Sequence, residues 1–180
     1  MPTKVHYMQD SLKVGELGEK AVLNFLLAKG YVRNYFDVRG NKVYQEKDVD
    51  YLIMFIDGSC HFIEVKTDTY SHTGHIFYEF LSCVERNTLG CFQKTKARWV
   101  FYYFVNDGAL YVINVEKFRD WYEKNKHRFK TSTIKNEILK KDGTPTGKFF
   151  HSRGHLIPRE EIELLNCVRK HYVNTEFQTA

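Results

Sequence analysis

Asp50 stands inside an apolar run, Val49 to Ile56, and fourteen residues later Glu64-Val65-Lys66 stands inside a second one. Side chains two apart on a strand face the same way, so Glu64 and Lys66 project together. Between the runs, Asp57-Gly58-Ser59 is a turn signal. With that triplet as the loop, Asp50 falls opposite Lys66 and Leu52 opposite Glu64. Directly opposed residues share a face, which gathers Asp50, Glu64 and Lys66; a loop of even length would turn Asp50 to the other face. Two carboxylates in a partly buried sheet repel and need compensation. A divalent cation supplies it, and Mg²⁺ in particular takes a few carboxylate oxygens while keeping several waters. Such an ion polarises a phosphoryl oxygen and acidifies a bound water. A lysine beside it can orient or help deprotonate that water, or stabilise developing charge. The chemistry expected of the trio is metal-assisted phosphodiester hydrolysis. The alternative is a structural ion cluster, with Lys66 paired to Asp50 or Glu64.

The elements that must position the trio can be read from pattern. Residues 11 to 29 have helical spacing, with Val14, Ala21, Val22, Phe25 and Leu26 roughly on one face, Ser11 as a cap and Gly30 as the residue that ends it. Gly15 and Gly18 cost about 1 kcal/mol each relative to alanine inside a helix. Two of them in the first turns predict that something packs or binds close to that backbone. Runs at 31–38, 49–56 and 61–66 predict an antiparallel meander after the helix. Further strands are expected at 75–80, 99–105 and 110–115, and a short helical turn at 90–96. Trp99 to Phe104 is the strongest β run and reads as a central core strand. Residues 116–127 read as an amphipathic helix with Phe118, Trp121 and Tyr122 inward. Gly143-Thr144-Pro145 reads as a loop, and a last helix is expected from Pro158 to about Tyr172.

The helix, the lone aspartate and the Glu-Val-Lys triplet together resemble the PD-(D/E)XK nuclease superfamily, in pattern the archaeal-type Holliday junction resolvases. Asp50 matches the family aspartate and Glu64-Val65-Lys66 its E-x-K element. The helix acid of the family is matched within Gly15-Glu16-Leu17-Gly18-Glu19, best by Glu19. Val49 stands where a proline is usual. The resemblance implies an α/β fold, a restriction-endonuclease-like αβββαβ core with a central mixed sheet flanked by helices. It implies Asp50, Glu64, Glu19 and the Val65 carbonyl as ligands of Mg²⁺ or Mn²⁺, and Lys66 acting on the attacking water. The expected substrate is DNA, with RNA the alternative, and endonuclease action is favoured over exonuclease action. Junction and duplex cutters use two active sites, which by analogy implies a homodimer. The competing reading is a nuclease-fold module that binds nucleic acid or a protein partner without cutting.

Composition agrees with a single domain of 180 residues. With 43% hydrophobic and 27% charged residues, the chain is neither disordered nor a disulfide-dense mini-protein. Net charge is +5, and residues 126–148 hold seven basic and two acidic residues, so this basic segment carries the whole excess. Lys126, Arg128, Lys130, Lys135, Lys140 and Lys141 there, with Lys94 and Lys96, are the expected contacts to a phosphate backbone. Four scattered cysteines, no apolar leader in Met1 to Asp10 and no long apolar span predict a cytoplasmic protein with reduced thiols and no membrane partner. His72, His75, Cys83 and Cys91 are spaced too loosely for a usual structural zinc site and read as a polar loop with buried thiols. His151-Ser152-Arg153-Gly154-His155 reads as a surface turn. Asp68 and Glu79 are weaker acidic signals, Asp68 sharing the face of Lys66. No glycine-rich phosphate loop is present, which excludes an ATP-driven motor of that type.

Overall fold

The computed structural model describes residues 5–6, 8–140 and 142–173. A two-residue strand β1 (Val5–His6) precedes helix α1 (Met8–Ala28). The helix starts ahead of Ser11, which lies within it rather than capping it. It ends where expected: the Gly30 N–H donates to the Leu27 carbonyl at 3.1 Å, and Gly30 takes a φ of 70°, a conformation that glycine adopts without penalty. Ala21, Val22, Phe25 and Leu26 are buried on one face. That face lies on Tyr51, Ile53, Ile63, Val65, Phe101 and Tyr103. The close backbone approach predicted from the paired glycines is made by Gly18, where a Cβ would stand 2.0 Å from Thr67 Oγ1. Gly15 has open space around it.

The predicted meander forms as β2 (Val32–Asp37), β3 (Tyr51–Phe55) and β4 (Cys60–Asp68), with a one-turn helix α2 (Lys42–Gln45) between the first two. A crossover then carries β5 (His75–Cys83), β6 (Thr88–Leu89) and α3 (Cys91–Lys94), and β7 (Trp99–Phe104) returns parallel to β4. Antiparallel β8 (Ala109–Asn114) follows, and β11 (Val168–Tyr172) closes a mixed six-stranded sheet in the order β2-β3-β4-β7-β8-β11. The β3–β4 register differs from the expected one. Tyr51 pairs with Ile63 and Leu52 with Phe62, and Phe55 N–H donates to Ser59 O at 2.8 Å. The loop is therefore 56–58, one residue earlier than 57–59, because Asp57 spends its carboxylate on the N–H and hydroxyl of Ser59 and draws that residue to the strand end. The loop stays odd in length, so the pairing slides by one full pleat and Asp50 still shares a face with Glu64 and Lys66.

The second sheet is absent from the sequence reading. Helix α4 (Val115–Asn125) leads into the long hairpin β9 (Lys130–Leu139) and β10 (Pro145–Pro158), which joins β1 and the crossover strands in the order β1-β9-β10-β5-β6. The basic segment is thus largely strand, and His151 to His155 lie inside β10 with Ser152 and Gly154 buried, not in a surface turn. The helix expected from Pro158 to Tyr172 is also corrected. Only α5 (Arg159–Glu163) is helical, with Pro158 as its N-cap, and the chain then extends as β11. The open edge of β8 supplies a ladder for Val168 to Tyr172, and burying Ile162 and Val168 leaves Leu164 exposed. Tertiary pairing here overrides local helix preference.

The aromatic run of β7 serves two cores. Phe101 and Tyr103 point to α1, while Val100, Tyr102 and Phe104 point to the side filled by α4 and β5. There Tyr78 stacks on Tyr122 at 3.6 Å and on Phe92 at 4.8 Å between ring centroids.

Candidate active site

On β4 alternate residues part company. Ile63 and Val65 go into the core under α1, and Glu64 and Lys66 emerge on the opposite face beside Val100 and Tyr102 of β7. Asp50 precedes the buried Tyr51 and turns the same way as Glu64; its Oδ2 accepts the Val65 N–H at 2.7 Å. Glu64 is only 5% exposed. Lys66 Nζ lies 3.3 Å from Glu64 Oε1, and its side chain as a whole is 40% exposed. The trio expected from spacing is therefore assembled.

Further groups complete the neighbourhood. The buried Cys91 thiol donates to Glu64 Oε1 at 3.7 Å. Glu79 of β5 stands by the Cys91 backbone and Ser152 of β10, and feels the charge of Lys66. Asn136 Nδ2 donates to Ser152 Oγ at 3.2 Å. The Glu79 backbone packs so tightly on Gly90 that a Cβ there would meet the Glu79 carbonyl oxygen at 2.2 Å. Asp48 is paired with Lys94 at 2.7 Å. Glu19 sits at the other side of Asp50, held by Arg39, which also grips Asp37 at 2.5 Å and lies over the Tyr51 ring. Glu19 is thus near enough to act on Asp50 electrostatically but is already partnered.

Electrostatics follow from burial and crowding. Burial first, and then the negative charge of Glu64, push the Asp50 carboxyl up to about 7. Burial raises Glu64 as well, against the pull of Lys66. With Asp50 raised so far, the pair holds a proton near neutrality that an ordinary aspartate would have lost. Glu79 and Glu19 are raised too, chiefly by burial. Lys66 is held well above an ordinary lysine by Cys91 and then Glu64 beside it, against desolvation. Burial lifts the Cys91 thiol far up, and Glu64 is the acid that Lys66 pairs with at 3.3 Å.

The donor set suits a hard cation. Asp50, Glu64 and Glu79 crowd one lysine, an excess of acid that a divalent ion would relieve by displacing the shared proton. Among the described residues no three His, Cys, Asp or Glu side chains form a complete ligand set by themselves. An ion would rest on the Asp50–Glu64 pair, backbone oxygen and water, the mixture Mg²⁺ prefers.

The remaining expected residues are dispersed. Lys96 is exposed beside α3. Lys126 is paired with Glu123 at 2.6 Å and Arg128 with Glu161 at 2.5 Å. Lys130, Lys135 and Lys140 lie on β9 and the turn that follows it, and Lys141 lies outside the described residues. Asp68 receives the Tyr102 hydroxyl at 2.6 Å and the Tyr70 N–H at 2.7 Å, and so anchors strands rather than edging the cluster. His75 and Cys83 sit at opposite ends of β5, too far apart to share a zinc ion. Arg39, Asp48 and Ser152 were not anticipated; each reaches the cluster through pairing distant in sequence.

No family model, no curated protein and no solved structure matches this chain. No helix among the described residues is long and apolar enough to cross a membrane.

Proposed function

We propose that the chain is a divalent-metal-dependent nuclease that hydrolyses DNA phosphodiester bonds. The observation that carries this reading is the Asp50–Glu64 carboxyl pair with Lys66 Nζ 3.3 Å from Glu64. The topology supports it. A helix, an antiparallel three-strand meander, a crossover with the short helix α3 and a strand parallel to the third follow the αβββαβ order of a restriction-endonuclease-like core.

Bound Mg²⁺ or Mn²⁺ would polarise the scissile phosphoryl group and acidify a water. Asp50 and Glu64 would hold it once their shared proton has left, with backbone oxygen at Val65 as the further protein donor. The Val65 N–H fixes the Asp50 carboxylate in place. Lys66 offers an ammonium donor, positioned to orient a water or steady charge on a phosphoryl oxygen. Arg39 holds Glu19 near Asp50, where its charge adds to the affinity for a cation.

The test is a cleavage assay on linear, circular, single-stranded and four-way-junction DNA with Mg²⁺, Mn²⁺ or EDTA. Metal-dependent cutting lost in Lys66→Ala and Glu64→Ala supports the reading. Salt-sensitive binding without cutting under either metal would replace it by a binding module on the same fold.

A further inference from the structure

The basic excess of the chain divides into two kinds of cation. Lys94, Lys126, Arg128, Arg159 and Lys170 each hold a carboxylate. Lys130, Lys135, Lys140, Lys148 and Arg153 hold none among the described residues. These five belong to β9, β10 or the turn between them, while other cations without a carboxylate, such as Lys29, Lys96 and Lys124, are scattered over the rest of the fold.

The distal part of that hairpin stands apart from the sheet. β1 accompanies β9 only at Lys135 and Asn136. β5 accompanies β10 only as far as Arg153, with one more bond from Val84 N–H to His151 O. From Glu137 through the turn to Phe150, the ribbon has no strand beside it among the described residues. At about 3.3 Å per residue it reaches roughly 10–15 Å past its neighbours. Its end is a built turn: Lys140 N–H donates to Thr144 O at 2.8 Å, and Asp142 accepts from the Thr144 N–H and hydroxyl. Of the two acids there, Glu137 is buried, and Asp142 keeps its charge while it accepts from Thr144, against six basic residues between 130 and 153. Lys140 and Lys148 are exposed.

An isolated two-stranded ribbon with outward lysines has the width to enter a duplex major groove, about 12 Å across. A single strand would ask instead for open aromatic faces on which bases stack. On this ribbon the exposed Phe149 ring is covered by Lys135, its Nζ 3.9 Å from the centroid. The base of the ribbon lies beside the carboxyl cluster, because Gly154 of β10 pairs with Glu79 of β5 and Asn136 of β9 holds Ser152.

We propose that the distal β9–β10 hairpin is an arm that enters a groove of double-stranded DNA, with Lys140 and Lys148 on its phosphates, so that the substrate of the Asp50–Glu64–Lys66 site is a duplex. This rests on the nuclease reading for its last clause; the arm itself does not need cutting. The test is binding in EDTA, by fluorescence anisotropy over a salt series, of a labelled duplex and of the single strand of the same sequence. Wild type should bind the duplex more tightly. Lys140→Gln combined with Lys148→Gln should flatten the slope of log affinity against log salt by about 2 for the duplex. Lys170→Gln, on the far edge of the other sheet, should leave that slope unchanged. Equal affinity for both DNAs, or an unchanged slope in the double variant with an unchanged melting temperature, would overturn the arm. The cluster is judged separately by whether Mg²⁺ raises the melting temperature of wild type but not of Glu64→Gln, so either idea can fail without the other.

Discussion

The carboxyl cluster and the β9–β10 arm are built on opposite electrostatic plans. In the cluster, Asp50, Glu64 and Glu79 are withdrawn from water around one lysine, and burial raises all three. On the arm, lysines point outward with no carboxylate partner among the described residues. A desolvated group sits in a field that shifts its proton affinity, and a solvated cation is a contact point that salt can screen. The difference teaches where to expect large effects of substitution. Changes in the cluster should alter chemistry and proton uptake, whereas changes on the arm should alter encounter with a polyanion and little else.

The largest expected effect sharpens the comparison at its centre. Lys66→Ala should lower metal-dependent cleavage by roughly 10²–10³-fold, the usual loss when one charge-stabilising donor is removed. Its melting temperature should fall as well, because Glu64 is left buried beside Asp50 without its cation, so cleavage is compared at a temperature where the variant stays folded. A rate within about threefold of wild type in a single-turnover cleavage assay would return Lys66 to a structural role. Next comes the packing that holds Glu79. Gly90→Val forces a side chain onto the Glu79 carbonyl and should cost about 2–3 kcal/mol in urea unfolding.

Acidity offers a third way to break the comparison. A carboxyl raised in the folded state binds more protons folded than unfolded between its two pKa values. The contribution of Asp50 is therefore full below about pH 4 and is lost as pH rises through about 7. Asp50→Asn should remove this slope and unfold at a higher temperature than wild type at pH 8, while the stabilisation that Mg²⁺ confers on wild type should grow between pH 6 and 8 as the shared proton leaves. A flat profile in wild type from pH 5 to 8 would mean that the carboxyls are not coupled. The smallest effect lies beneath the site. Thr67 Oγ1 is buried with no hydrogen-bond partner among the described residues. Thr67→Val keeps the shape and removes that cost, so urea unfolding should show a gain of about 1 kcal/mol.

What could be read in advance follows the same division. Asp50, Glu64 and Lys66 lie on neighbouring strands joined by a tight turn, and period-two alternation together with an odd loop is enough to put them on one face. The helix end at Gly30 was likewise local in origin, and the glycine at position 18 signalled a close approach whose partner, Thr67, lies far off in sequence. The second sheet was not legible, because β10 contains Gly147 and Gly154 and is stabilised by partners far off in sequence, β5 and β9. For the same reason Glu79 stayed a weak signal, and Arg39 and Ser152 gave none. The exact pairing of β3 with β4 depended on the hydrogen bonds of one side chain, Asp57, which alternation does not specify.

β4 carries a core on one side and the carboxyl–lysine cluster on the other, by alternation alone. Adding a single residue within it would exchange the two sides, driving Glu64 and Lys66 beneath α1 and lifting Ile63 and Val65 into solvent. The strand can therefore accept changes of residue but not of length, and a scan of one-residue insertions along the chain should find here a segment where folding and chemistry are lost in the same step.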